Sequence, residues 1–199
     1  MDFDLRFGQE ADAPLIADLV IEAGAGLFES MLDGIVPGVD ARHFVRMAIN
    51  GEDSPLRFDN AILAEVDGKV AGMALGYPSS EYGLHPLLKS LLPNRRLKPL
   101  AELFASKVPD SWYLNSLVVL EHARGKGLGR LLVQFCADLA TEEGLSSMSL
   151  HAWADNDAAL RVYRGLGFAD VERVPVSLRT QPERDSGMVL MKAALPLAG

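Results

Sequence analysis

Cysteine is nearly absent from this chain, since only Cys136 among its 199 residues carries a thiol. A single thiol excludes an internal disulfide framework, so the fold must depend on its hydrophobic core. Positive charge is also scarce, with 19 Lys and Arg against 27 Asp and Glu and a net charge of −8. Because a broad nucleic-acid surface requires a positive field, we expect no nucleic-acid partner.

Long apolar runs and a secretory leader are missing as well. No window approaches the run of about 18 apolar residues that a membrane span needs. Residues 1–6 lack a basic segment followed by an apolar stretch, so we expect a cytoplasmic protein without a membrane partner. Hydrophobic residues make up 49% and charged residues 23%, which is typical of a globular protein. One domain over residues 1–199 is the simplest organisation.

The hydrophobic pattern predicts alternating strands and helices. Helices are expected after Asp12, from Asp40 to Asn50, at 129–143 and near Asp155, and residues 82–108 form a helical insert. Strands are expected at 3–7, 61–66, 69–75, 113–120, 148–152, 171–178 and 188–194. Asp67-Gly68 is a hairpin turn between the second and third of these. This order indicates an α/β fold with helices around a central sheet.

A glycine-rich loop follows the predicted strand at 113–120 and leads directly into a helix. Its sequence is Arg124-Gly125-Lys126-Gly127-Leu128-Gly129-Arg130. The glycines allow a tight turn with exposed N–H groups, and the helix N-terminus and three basic side chains add positive potential. The loop therefore predicts a pyrophosphate-sized anion site. A dinucleotide-binding fingerprint would need glycine in place of Arg130, and the alternative is a basic strand-to-helix turn without a ligand.

A second motif lies about thirty residues downstream. It begins at Asn156, continues with Ala159 and Tyr163, and ends in Gly165-Leu166-Gly167-Phe168. With the glycine-rich loop before it, this pattern resembles the GNAT superfamily of acyl-CoA-dependent N-acetyltransferases. The resemblance covers essentially the whole chain and implies a mixed α+β fold with a mostly antiparallel central sheet.

The resemblance also implies a site for acetyl-CoA. Main-chain groups of Leu117 and Val119 would pair with the pantetheine arm, and Asn156 would contact the pantetheine or pyrophosphate region. Tyr163 would protonate the departing thiolate, and the Val119 N–H would stabilise the oxyanion. The pyrophosphate would be held by the loop residues Arg124, Gly125, Lys126, Gly127, Leu128, Gly129 and Arg130. Without the motif, Tyr163 is a packed helix aromatic and Asn156 a helix cap.

The function expected from this site is transfer of an acetyl group to a primary amine of a small molecule or a protein. The alternatives are a non-catalytic acyl-CoA sensor on the same fold and a generic nucleotide-binding domain. The four histidines have neither a His-x-x-x-His spacing nor a cysteine companion, so we expect no metal site. A homodimer is one assembly that the sequence leaves open.

Several polar residues receive no definite role from the sequence alone. Candidates for the general base are Glu65, Glu81 and Asp110, each of which is also a typical solvated carboxylate, and Asn115 and Ser116 are candidates for orienting the amine. Cys136 is expected in the core, and His151 on a strand is either a site residue or a satisfied polar residue. The insert carries Lys89, Arg95, Arg96 and Lys98, which form either a solvated helix edge or a basic lid.

Overall fold

The computed structural model describes residues 3–197, apart from the side chain of Leu87. Residues 1, 2, 198 and 199 of the expected domain lie outside this part. The strands are β1 Asp4–Phe7, β2 Ala61–Val66, β3 Lys69–Pro78, β4 Trp112–Val119, β5 Ser147–Trp153, β6 Ala169–Val174 and β7 Met188–Ala194. The helices are α1 Ala13–Gly24, α2 Leu27–Leu32, α3 Ala41–Ile49, α4 Pro86–Leu91, α5 Asn94–Leu97, α6 Ala101–Ala105, α7 Leu128–Glu142 and α8 Asp157–Gly165.

The strands form one seven-stranded sheet in the order β1-β2-β3-β4-β5-β7-β6. The neighbouring strands pair antiparallel with the exception of β4 and β5, which pair parallel. The expectation of a mostly antiparallel sheet flanked by helices is therefore confirmed. Asp67 and Gly68 both have positive φ, 51° and 70°, which matches the two-residue hairpin turn predicted between β2 and β3.

Local signals set most of the element boundaries. The Asp40 carboxylate accepts the His43 N–H at 2.9 Å and so caps α3, as predicted. Asp12 precedes α1, but its carboxylate accepts from Arg6 and from the Gln9 N–H instead of capping that helix. The strand predicted at 171–178 is wrong at its end, since β6 stops at Val174 before Pro175, which lacks an N–H for the ladder.

Helices cover both faces of the sheet. Ile62 and Ala64 of β2 point to the face on which α7 packs, whereas Ala61 and Leu63 point to the face covered by α1 and α3. Ala25 and Gly26 separate α1 from α2, because both take left-handed conformations, φ 48° and 95°. The insert folds as α4, α5 and α6 and shares a core with α2 and the end of β5.

Strands β4 and β5 separate halfway along their length, and this opening positions the site. They pair only from Trp112 to Leu114, opposite Met148 to Leu150. The β3–β4 register shifts just beyond this point, because Leu75 faces Ser116 whereas Gly76 faces Leu114. Asn115 is the additional residue of a β-bulge, and a bulge bends its strand. The second half of β4 is therefore free on its β5 side.

Candidate active site

The open edge of β4 presents main-chain groups in a defined register. The Leu120 N–H bonds to the Ala71 carbonyl, and Val118 lies opposite Met73 two residues earlier. Hydrogen bonding alternates along an antiparallel pair, so the N–H groups of Leu117 and Val119 point away from β3. They face the gap between β4 and β5, where an extended ligand can pair with them as a strand would.

The glycine-rich loop connects this edge to α7. Gly125 and Gly127 have φ of 72° and 82°, a left-handed conformation that glycine adopts without strain. Gly127 is the N-cap of α7 and has no side chain to cap it. The first N–H groups of any helix lack an intrahelical partner, and in this 15-residue helix the N-cap side chain does not supply one either. Together with the helix dipole, these N–H groups favour an anion.

Three exposed basic side chains surround the loop and are held by main-chain carbonyl groups. Arg124 Nε donates to the Val119 oxygen at 2.9 Å, and Lys126 Nζ donates to the His122 oxygen at 2.8 Å. Arg130 reaches the Gly165 oxygen at the end of α8 at 3.3 Å. The structure thus brings all three cations to the loop between the β4 edge and α8.

The second motif forms the start and middle of α8. Asn156 caps this helix, since its Oδ1 accepts the Ala159 N–H at 3.1 Å, and its amide nitrogen stays available as a donor. Tyr163 is buried and packs against Phe168. Burial raises the pKa of the Tyr163 hydroxyl, so it keeps its proton at neutral pH. Within residues 3–197 this hydroxyl makes no hydrogen bond, although Tyr163 lines the cavity described next.

A cavity of about 450 Å³ extends from the β4–β5 gap to the helices on one face of the sheet. Asn115 to Leu117 of β4 and Asn156 and Tyr163 of α8 border it on the donor side. The opposite side is mainly apolar and is built from α1 to α3, the loop after α3 and the insert, with Leu27, Phe28, Met31, Phe44, Leu56, Leu84, Leu88, Leu103 and Phe104. Within the described part of the chain, the lining contains no lysine or arginine.

Polar side chains gather where β4 and β5 diverge, on the wall of this cavity. The Asn115 amide donates to the Tyr77 hydroxyl at 3.0 Å, and the Ser116 hydroxyl donates to the Asn115 oxygen at 2.9 Å. The Tyr113 hydroxyl lies 3.0 Å from His151 Nδ1, and the Tyr82 ring stacks on the imidazole. Burial lowers the pKa of His151 to about 4, so the ring is neutral near pH 7. His151 therefore both lines the cavity and is satisfied by hydrogen bonds.

The three carboxylates that are candidates for the general base differ in their distance from the cavity. Glu65 forms an ion pair with Arg6 at 2.7 Å near the β1 edge of the sheet, remote from the β4–β5 gap. Asp110 is exposed and does not line the cavity, whereas Glu81 is exposed at its rim. Cys136 is fully buried as expected, and burial raises the pKa of its thiol to about 12.

The four basic residues of the insert differ in their exposure to solvent. Lys89, Arg95 and Lys98 are exposed, but Arg96 is partly buried. Its guanidinium donates to the carbonyl oxygens of Ser30 at 2.9 Å and Asp33 at 2.8 Å. Neither a solvated edge nor a ligand-binding lid describes Arg96, because its donors hold the insert against the end of α2.

The family model for the acetyltransferase (GNAT) family matches residues 40–168, which is more than half of the chain. The chain belongs to the GNAT acetyltransferase family. The resemblance drawn from the two motifs is thus confirmed, and residues 40–168 form an acetyltransferase domain of this family. No sequence motif marks Tyr77, Tyr82 and Tyr113 as neighbours, since the fold brings these residues together from separate segments.

Solved structures share the fold of this GNAT protein along nearly its full length. A solved acetyltransferase superposes with a TM-score of 0.69 at 21% identity, covering 96% of this chain and 99% of that one. An N-acetyltransferase from Staphylococcus aureus Mu50 gives 0.68 at 18% identity, covering 96% and 100%. The protein yncA from Salmonella typhimurium, solved with its cofactor acetyl-CoA, gives 0.61 at 19% identity, covering 100% and 97%.

Curated relatives match over a short segment only. A mycothiol acetyltransferase from Renibacterium salmoninarum is 49% identical over 47 residues, 24% of this chain and 14% of that protein. The N-acetyltransferase YdgE from Bacillus subtilis is 35% identical over 57 residues, 29% of this chain and 36% of that protein. The match thus covers much less than two thirds of either relative.

Two kinds of feature are absent from residues 3–197. No cluster of three or more His, Cys, Asp or Glu side chains in this part of the chain has the arrangement of a metal site. None of its helices combines the length and the apolar character needed to cross a bilayer.

Proposed function

We propose that this protein transfers the acetyl group of acetyl-CoA directly to a primary amine that enters the cavity. The observation that carries the proposal is the open β4 edge, whose free N–H groups lead straight into the glycine-rich loop. An extended thioester arm and its pyrophosphate need these two features in this order. The main-chain register at Leu117 and Val119 fits the arm, and the start of α7 with Arg124, Lys126 and Arg130 fits the phosphates.

Each role in catalysis follows from a group already described. A thioester is reactive toward a neutral amine, so the main contribution of the protein is to hold the two in line. The Val119 N–H is free to donate to the oxygen that becomes negative on the carbonyl carbon. The Tyr163 hydroxyl keeps its proton and can give it to the departing sulfur. Asn156 can donate its amide hydrogens to the donor arm while its oxygen caps α8.

The acceptor that fits best is a small molecule with an apolar body. The cavity side remote from α8 is built from leucine, methionine and phenylalanine side chains, among them Phe28, Met31 and Phe104. Acidic acceptors would gain little there, because the described lining contains no lysine or arginine, and a polyamine would find carboxylates only at the exposed Asp53 and Glu81. A protein amine would have to insert its terminus past the insert, so small amines with aliphatic or aromatic bodies are favoured.

A screen of CoA-thiol release tests the proposal directly. Acetyl-CoA is incubated with the protein and with amines of similar basicity whose bodies are apolar, polyamine-like or acidic. We expect thiol release above background, confirmed by mass spectrometry of the acetylated amine, with the highest kcat/KM for apolar bodies. Tight CoA binding without acetylated product from any class would favour the acyl-CoA sensor instead. Product formation with every class except apolar amines would contradict the assignment of the acceptor.

A further inference from the structure

A continuous line of hydrogen bonds leads from the cavity to the protein surface and is not needed to hold acetyl-CoA. It runs from the Tyr113 hydroxyl to His151 Nδ1 at 3.0 Å and from His151 Nε2 to the Ser106 hydroxyl at 3.1 Å. The Ser106 hydroxyl then donates to the Glu172 carboxylate at 2.6 Å. Tyr113 and His151 line the cavity, whereas Glu172 is exposed on β6.

The proton positions along this line follow from its last member. A carboxylate only accepts hydrogen bonds, so the single Ser106 proton must point to Glu172. The Ser106 oxygen is then the acceptor for His151, which fixes the imidazole proton on Nε2. His151 Nδ1 carries no proton and accepts from the Tyr113 hydroxyl. All three bonds therefore donate in one direction, from the cavity toward the surface.

We propose that Tyr113, His151, Ser106 and Glu172 form a relay that carries the proton of the acceptor amine out of the cavity. The proposal rests on the proposed acetyl transfer, in which an ammonium group must lose a proton before its nitrogen can attack. The relay takes the role of general base, for which Glu65, Glu81 and Asp110 were the candidates from the sequence.

The transfers balance at each step of the relay. The ammonium proton passes to the Tyr113 oxygen while the Tyr113 proton passes to His151 Nδ1. The Nε2 proton passes to the Ser106 oxygen, and the Ser106 proton passes to a Glu172 oxygen, from which water removes it. One proton enters, one leaves and no bond between heavy atoms changes. The imidazole ends the step protonated on Nδ1, and it loses that proton to water in the cavity and regains one on Nε2 from water before the next turnover.

The surroundings of His151 suit this role. Tyr82 stacks on the ring and its hydroxyl also hydrogen-bonds the Tyr113 hydroxyl, but it donates its own proton to the Leu103 carbonyl at 2.8 Å and therefore passes none to His151. Three titratable side chains are joined to His151 by the described contacts. Tyr82 and Tyr113 contact its ring, and Glu172 is connected to it through the Ser106 hydroxyl. Because burial keeps the imidazole neutral, His151 is in the form that can accept a proton.

Replacement of Glu172 gives the clearest test, because this residue is exposed and does not line the cavity. Glu172→Gln keeps the size of the side chain but cannot take up the proton, and Glu142→Gln on α7 is the matched control. The readout is kcat/KM for an accepted amine from neutral to alkaline pH. Near neutral pH we expect Glu172→Gln to lower it by about 10²-fold, the low end of a proton-transfer contribution. The KM for acetyl-CoA and the activity of Glu142→Gln should not change.

The pH dependence distinguishes a relay from a structural role. As the pH approaches the pKa of the acceptor amine, the ammonium group loses its proton to the solvent before it enters the cavity. The loss of kcat/KM in Glu172→Gln should therefore shrink at high pH. A deficit that stays constant with pH, or that equals the effect of Glu142→Gln, would overturn the relay.

A double-variant cycle adds an independent criterion. Ser106→Ala interrupts the same line, so the double variant should be no slower than the more affected single variant. Additive losses would overturn the relay. Absence of turnover by the wild-type protein would overturn the acetyl transfer and the relay together, whereas turnover with pH-independent deficits would overturn the relay alone.

Discussion

The two sides of the cavity are built in different ways. The donor side consists of consecutive segments, β4, the glycine-rich loop and α7, followed by α8, and it offers main-chain N–H groups in a fixed register. The acceptor side is assembled from α1, α2, α3 and the insert, and it offers apolar side chains. The donor side therefore depends on backbone geometry, and the acceptor side depends on tertiary packing.

This difference explains what each side can tolerate. A main-chain site is sensitive to residues that set the backbone, such as Gly125 and Gly127, and insensitive to most neighbouring side chains. A side-chain pocket changes its preference when one apolar residue changes size, while the fold persists. We therefore expect the donor to be common to relatives that share this backbone and the acceptor to differ among them.

The largest expected effect is a loss of kcat, and it should distinguish a tyrosine on the donor side from a tyrosine on the acceptor side. Tyr163→Phe keeps the ring that packs on Phe168 but removes the proton donor, so kcat should fall by about 10²-fold or more. The KM for acetyl-CoA should stay nearly constant. Tyr82→Phe in the insert, on the acceptor side, is the comparison, and we expect only a small change in kcat. Steady-state kinetics with a good acceptor gives both values, and equal losses in the two variants would remove the distinction between the sides.

A smaller effect is expected when the anion site is altered. Gly127→Asp places a negative charge at the start of α7, where the phosphates would lie, and should weaken CoA binding by at least about tenfold. Gly144→Asp lies just beyond the other end of α7 and is a matched control, because both glycines have positive φ and open space where a Cβ would lie. Calorimetry of CoA binding should show a loss for Gly127→Asp alone, and similar losses would indicate backbone strain as the cause.

The smallest effect concerns the packing of the acceptor side. Arg96→Met removes the donors to the Ser30 and Asp33 carbonyls and should lower the free energy of unfolding by about 1.5 kcal/mol. Its neighbour Arg95 is exposed, so Arg95→Met should change that free energy by less than about 0.5 kcal/mol. Denaturant unfolding of both variants measures the difference. An equal response would mean that Arg96 does not hold the insert.

The same contrast determines how much the sequence could predict. The succession of strands and helices along the chain, the hairpin at Asp67-Gly68 and the donor motifs could be read because each depends on residues close together in the chain. The bulge at Asn115, the separate helix α2 and the anchoring role of Arg96 could not, since each arises from contacts between distant segments. The line from Tyr113 to Glu172 joins four segments and has no local pattern, although the polar His151 in a largely buried strand was a partial signal.

Hydrogen exchange at single amides of β4 tests the central claim most directly. If the donor pairs with the open edge of this strand, saturating CoA should slow exchange of the Leu117 and Val119 amides. The Val118 amide is the internal control, since its register directs it to Met73 whether or not CoA is bound. The account predicts protection at alternate residues, 117 and 119 but not 118. Saturated CoA binding with unchanged exchange at Leu117 and Val119 would contradict it.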